Sequence, residues 1–201
     1  MGEQKMRASK ALYSHGATTE RHVRDDYPTP PGFVRPLLEQ LQLDPSTSIW
    51  DPCAGGGHLI RCLADEGFTE LWFDDLHYND TDFFEVPVEG RSYDWVITNP
   101  PYKHAEAFVR KSLLHAPRVA MLLNSAFLES VGRAEGLFAE CPPSHIYMCA
   151  RRMRLVEGNS SAFSHVWVVW DNAYEGSTQF SWVVPTTDIQ MPTGQAEGVW
   201  E

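Results

Sequence analysis

Apolar residues along the 201-residue chain fall into two alternating rhythms, compact runs rich in β-branched and aromatic residues and longer stretches spaced for one face of a helix. The first clear helix carries Phe33, Leu37, Leu38 and Leu41 on one face, after the proline-rich start Tyr27-Pro28-Thr29-Pro30-Pro31-Gly32. Ser46 to Trp50 then reads as a strand, Ala54-Gly55-Gly56-Gly57 as a tight turn, and the stretch from about His58 to Glu66 as a helix. Leu71 to Phe73 is a second strand, and the region around Phe83-Phe84-Glu85-Val86 a weak third. Tyr93 to Thr98 is a fourth, followed by a helix from about His104 to His115. Val119 to Leu123 is a fifth, after which come a helix over about Gly132 to Ala139 and strands at His145 to Cys149 and His165 to Trp170. Cys141-Pro142-Pro143 breaks the chain before the sixth strand, and Asp171 to Gly176 turns it after the seventh. Strands alternating with helices predict an α/β fold, a parallel sheet of seven strands with crossover helices on its faces.

With 43% hydrophobic residues, a chain of this length closes one core, which predicts a single folded domain over 27–184. Met1 to Asp26 are polar without clean periodicity and predict a loose arm, and 185–201, rich in proline, glycine and polar residues, predict a mobile tail. The longest apolar runs fall well short of the roughly 18 residues of a membrane span, and the N-terminus lacks the apolar centre of a signal peptide. The expectation is a cytoplasmic protein without membrane contact. Cys53, Cys62, Cys141 and Cys149 lack the paired spacing of a zinc site, so no metal is expected and they read as reduced, mostly buried thiols.

A formal net charge of −11 and a pI near 5.1 argue at first against a nucleic-acid partner, whose phosphates favour a basic surface. Distribution changes that picture. Between Asp65 and Glu89 stand nine acids and no lysine or arginine. Positive charge gathers instead in Lys5, Arg7, Lys10, Arg21 and Arg24 and in the run Arg151-Arg152-Met153-Arg154, so an acidic chain can still offer a basic face. Ordinary solvated surface is the alternative reading of either cluster.

The strand ending at Asp51 runs into the glycine turn and then a helix, which lets backbone approach a nucleotide-like ligand that side chains would block. A tight turn without a ligand is the alternative. Neither GxGxxG nor GxxxxGK is present, which argues against NAD and ATP. Asp74 and Asp75 close the second strand about 20 residues later, where nucleotide-binding sheets place a carboxylate for ribose hydroxyls. Asp75 is the better candidate, because an acid followed by aliphatic Leu76 suits a strand end, with a solvated acidic turn equally open. Asp82 could offer an acceptor to an adenine amino group and Phe83 a wall beside it, although Phe83 also reads as core.

Asn99-Pro100-Pro101-Tyr102 directly follows the fourth strand. An exocyclic amine on a nucleobase is a poor nucleophile because its lone pair is delocalised into the ring. If the Asn99 side-chain oxygen and the Pro100 carbonyl accepted its two N–H groups, the nitrogen would be drawn toward tetrahedral geometry with its lone pair oriented. Pro100 and Pro101 fix φ and bring no competing N–H donors, so the acceptor pair is rigid. Tyr102 would stack on a base taken out of its duplex. A proline turn without chemistry is the alternative.

On these motifs the chain resembles the S-adenosylmethionine-dependent amino-methyltransferases, in particular the phage and prophage N6-adenine DNA methyltransferases. Asp51-Pro52-Cys53-Ala54-Gly55-Gly56-Gly57 looks like their cofactor motif, and Asn99-Pro100-Pro101-Tyr102 matches their catalytic motif in full. Tyr27-Pro28-Thr29-Pro30 is similar to the segment that packs on the cofactor's methionine moiety, and Asp82-Phe83-Phe84 to the one at its adenine. The resemblance spans about Tyr27 to Trp170. It implies a Rossmann-like seven-stranded methyltransferase fold, mostly parallel with the last strand antiparallel, S-adenosylmethionine as cofactor, and methyl transfer to adenine N6 in DNA. The implied cofactor contacts are Tyr27, Thr29, Pro30, Asp51, Cys53, Ala54, Gly55, Gly57, Asp82 and Phe83, to which Asp75 is added.

In the implied fold the strands ending at Thr98 and Cys149 run parallel. Arg151, Arg152 and Arg154 then emerge on the rim that carries Asn99, with Lys103 beside the motif, where they could hold phosphates. Phe163, in a loop of small and polar residues, is the candidate for the opposite face of a flipped base, with loop packing as the alternative. Family members with this motif order carry a recognition domain after the catalytic one. Here strands five to seven consume most of the chain beyond Tyr102, so short or relaxed sequence specificity is expected. Amino-methylation of RNA or of a protein glutamine by the same motif, and a non-catalytic cofactor-binding subunit, are the alternatives.

Overall fold

Successive side chains of a strand point to opposite faces, so an uninterrupted apolar run belongs in a sheet covered on both sides. The computed structural model, which describes residues 28–90, 92–154, 164–189 and 192–199, has this construction. Strands β1 (Ile49–Asp51), β2 (Leu71–Phe73), β3 (Trp95–Thr98), β4 (Arg118–Asn124), β5 (His145–Cys149), β6 (His165–Asp171) and β7 (Gln179–Val183) form one sheet in the order β2-β1-β3-β4-β6-β5-β7. β1 pairs parallel with β2 and β3, β3 with β4, and β5 with β7, while β6 runs antiparallel between β4 and β5.

Helices α1 (Pro31–Leu41) and α2 (His58–Asp65) cover one face, where Ile97, Leu122, Trp167 and Val169 point. Helices α3 (Ala105–His115), α4 (Val131–Glu135) and α5 (Leu137–Glu140) lie on the other, with Val96, Met121, Leu123 and Val168. The Trp167 indole N–H donates to the Phe33 carbonyl at 2.8 Å inside the first core, tying α1 to β6. No helix among the described residues is long and apolar enough to cross a membrane.

Two expected elements differ. The weak third strand around 83–86 is a turn of 3₁₀ helix, Phe83–Glu85. The Asp82 carboxylate accepts the Phe84 N–H at 2.9 Å, and Phe83 and Val86 are both buried while Phe84 and Glu85 between them are exposed. That is the period of a 3₁₀ turn, whereas a strand would have buried alternate residues. The seventh strand is instead β7, which carries its alternation openly in Phe180-Ser181-Trp182-Val183, with Val183 turned to the core and the two aromatics outward. The antiparallel strand at His165 is therefore sixth in chain order, with a parallel strand after it at the sheet edge.

Over its described residues the C-terminal segment packs against α1 and the glycine turn. Pro36 has no N–H for the Gly32 carbonyl one turn back in α1, and that carbonyl accepts the Thr186 N–H at 3.1 Å. The Gly32 N–H donates in turn to the Asp188 carbonyl at 2.8 Å. A Cβ at position 32 would lie 2.1 Å from that oxygen, so only glycine admits this approach. Farther on, the Ala196 N–H donates to the Gly56 carbonyl at 2.6 Å and Val199 lies over Gly57, which strap the tail across the glycine turn. The N-terminal arm and its basic cluster lie outside the described residues.

Candidate active site

Because β1 and β3 are parallel neighbours, the segments leaving their C-terminal ends emerge on one rim and face each other. They are the glycine turn and Asn99-Pro100-Pro101-Tyr102, and between them opens a cleft enclosing about 740 Å³ of space continuous with solvent. Of the expected residues, Thr29, Asp51, Cys53, Ala54, Gly55, Asp75, Phe83, Asn99 and Pro101 line it.

The cleft's carboxylates occupy different surroundings. Asp51, at the end of β1, is 2% exposed and accepts the Thr98 hydroxyl at 2.7 Å and the Cys53 N–H at 3.2 Å. Burial pushes its carboxyl up to about 7, nearby Asp75 and Asp74 add to the rise, and the two hydrogen bonds oppose it. Asp75, past the end of β2, accepts the Gly55 N–H at 2.9 Å on one oxygen and the His77 N–H at 2.7 Å on the other. Gly55 reaches this position with a φ of +53°, in the left-handed region. Asp74 instead accepts the Trp50 indole N–H at 3.0 Å and the Asn79 amide at 3.1 Å, and does not line the cleft.

Asn99 connects the two sides. Its amide nitrogen donates to the Thr29 hydroxyl at 3.1 Å across 70 residues of sequence, which sets the plane of the amide. Thr98, buried just before it, also meets the Cys53 thiol at 2.9 Å, so the end of β3 is stitched to the turn after β1 at two points. Pro101 begins the 3₁₀ turn Tyr102–His104 and carries the Tyr102 ring to the far side of the motif. There Tyr102 lines a second hollow with Asn124, Phe127 and Arg133. Its ring lies 6.3 Å from that of His165, whose imidazole is pushed down to about 4 by burial.

Other expected residues take supporting places. Pro30 precedes α1, Gly57 caps α2 beneath Val199, Pro100 is buried, and Asp82 spends its carboxylate on the Phe84 N–H, so none of the four lines the cleft. Tyr27 and Phe163 lie outside the described residues. The cleft also contains residues that motif reading passes over, among them His58, Leu76, Thr81 and Phe108. Phe108 stacks on Phe83, with centroids 4.5 Å apart and rings inclined by 15°, and the pair forms an apolar wall. Leu76 could have been reached as the neighbour of Asp75. Phe108 could not, since its helical spacing marks it only as core.

The described arginines divide in two. Arg35, Arg61, Arg110 and Arg118 are each paired with a carboxylate. Arg133, Arg151, Arg152 and Arg154, all of which come after the C-terminal ends of β4 and β5, have no carboxylate partner among the described residues. β5 is parallel to β3 through β4 and β6, so this end of the sheet is the rim that carries Asn99. Lys103 is exposed on it as well.

No protein-family model and no curated protein matches the chain. Among solved structures it is similar to a proposed class I S-adenosylmethionine-dependent methyltransferase from Listeria monocytogenes, at 12% identity and a TM-score of 0.56, with 89% of this chain covering 72% of that one. It is similar also to the modification subunit of a proposed type I restriction enzyme from Vibrio vulnificus YJ016, at 14% identity and a TM-score of 0.58. In that comparison 98% of this chain covers 54% of the other, so the chain spans about half the length of that subunit. The 23S rRNA methyltransferase ErmE matches at 14% identity and a TM-score of 0.50, over 75% of this chain and 73% of that one. At such identities the likeness is one of fold. The seven-stranded sheet, parallel but for β6 and layered between helices, is the Rossmann-like methyltransferase fold.

Proposed function

We propose that this protein transfers a methyl group from S-adenosylmethionine to the N6 amino group of adenine in DNA. The observation that carries this reading is the placement of Asn99 on the wall of the same cleft as Asp51, Gly55 and Asp75.

The residues present fit that cofactor. Asp75 offers carboxylate oxygens to ribose hydroxyls, the Phe83–Phe108 pair an apolar wall to an adenine ring, and Asp51 a negative charge to a cationic methionine end. When bound, the cofactor supplies a methyl group on a positively charged sulfur, already a good leaving group. The chain's own task is to prepare the acceptor. Asn99, its amide plane held by Thr29, and the Pro100 carbonyl accept the N–H groups of the amine and aim its lone pair, while Tyr102 supports the base. Rim arginines without a carboxylate partner among the described residues suit a nucleic-acid acceptor, since they can meet its phosphates.

The test is incubation with tritium-labelled S-adenosylmethionine and, in parallel, duplex DNA, single-stranded DNA, RNA and a protein extract, then digestion and identification of the labelled product. Label in N6-methyldeoxyadenosine is expected, and label confined to RNA or protein would overturn the reading. Asn99→Ala should lower turnover by roughly 10²-fold or more, the scale of losing one aligned polar group at a reacting centre, while cofactor affinity stays near wild type.

A further inference from the structure

We infer that the hollow beyond Tyr102 is a second binding site, in which Arg133 holds a backbone phosphate next to the acceptor base. The inference rests on the nucleic-acid reading above and adds to it a site and a residue. Asn99-Pro100-Pro101-Tyr102 stands as a partition, with Asn99 and Pro101 on the cofactor cleft and Tyr102 on the hollow. Methyl transfer proceeds in line, so the acceptor must approach the reacting nitrogen's position from the side opposite the cofactor. The hollow meets the motif at Tyr102, whereas the cofactor cleft meets it at Asn99 and Pro101.

Its lining contains one cation. Arg133 lies with its guanidinium carbon 4.6 Å from the centroid of the Phe127 ring, its Nε donating to the Phe127 carbonyl at 2.6 Å and one Nη to the Ala126 carbonyl at 3.3 Å. The ring and these carbonyls fix the guanidinium plane before any ligand arrives, so little side-chain entropy remains to be lost. Among the described residues the other terminal nitrogen has no hydrogen-bond partner and the group has no carboxylate partner. In a chain of net charge −11, an arginine held flat in this hollow with no acid partner among the described residues is matched to an anion. A strand whose base stands at Asn99 brings a phosphodiester on either side of that base.

The experiment measures binding of a short adenine-containing DNA strand by fluorescence anisotropy across a salt series, for wild type, Arg133→Gln and Arg133→Lys. A second strand carries neutral methylphosphonate linkages on both sides of the adenine. Arg133→Gln is expected to weaken binding of the natural strand about tenfold and to reduce the salt slope by about one. Arg133→Lys should keep most of that slope. The neutral strand should bind wild type more weakly than the natural one, and Arg133→Gln should no longer distinguish the two. A wild-type salt slope in Arg133→Gln, or equal sensitivity of both proteins to the neutral linkages, would overturn the inference and leave Arg133 as a staple of the turn after β4. If wild-type protein binds neither DNA strand, the nucleic-acid reading itself has failed.

Discussion

Asp51 is the residue at which fold and chemistry compete most directly. A buried carboxylate with only two donors stays protonated in the folded state after its unfolded counterpart has ionised. Stability contributed at this position is therefore present at low pH and lost as pH rises from the ordinary carboxylate range near 4 through about 7. Asp51→Asn should flatten the thermal-unfolding midpoint across that window, and an unchanged profile would place the titration on another group. Cofactor binding should show the opposite sign. A cation beside Asp51 selects the ionised form, so affinity for S-adenosylmethionine should rise through pH 7 in the wild type and lose that rise in Asp51→Asn, as calorimetry at pH 6 and pH 8 would read. Asp51 could be picked from the sequence because it ends a strand before glycines. Thr98 could not, since a buried threonine at a strand end carries no signal until the parallel pairing of β1 and β3 brings it 2.7 Å from the carboxylate.

At the scale of elements, β4 and β6 were readable because long apolar runs buried on both faces have few alternatives. Their residues from Val119 to Leu123 and from Val166 to Trp170 all pack into one core layer or the other. The segment 83–86 resembles such a run over four residues, too few for period two to be told from period three, and the Asp82 cap decides for the turn. α1 shows how an apparent defect is resolved by a distant segment. Pro36 leaves a carbonyl without its helical donor, and the tail supplies one because Gly32 lets it come close. Gly32→Ala places a Cβ against backbone and should cost about 1–3 kcal/mol of stability by overpacking. It should also raise hydrogen exchange at Thr186 well above the wild-type rate. Wild-type unfolding midpoint and exchange in that variant would show that the tail does not depend on this contact.

For the whole molecule, the total charge misleads and its arrangement informs. Nine acids between Asp65 and Glu89 account for most of the excess, while the arginines beyond β4 and β5, at the end of the sheet that carries Asn99, have no carboxylate partner among the described residues. Charge reversal at Arg151 and Arg152 together should weaken DNA binding and lower its salt slope by about two, one for each phosphate contact given up. An unchanged slope would move the phosphate contacts elsewhere on the surface. By itself the sequence determined the alternating α/β pattern, the glycine turn after Asp51 and the motif at Asn99, because periodicity and motif chemistry belong to residues adjacent along the chain. Only the tertiary structure decided that Thr98 meets Asp51, that Thr29 holds Asn99, and that Arg133 shares a hollow with Tyr102. Each of these depends on which strands pair and on where distant segments meet, and no local pattern records that.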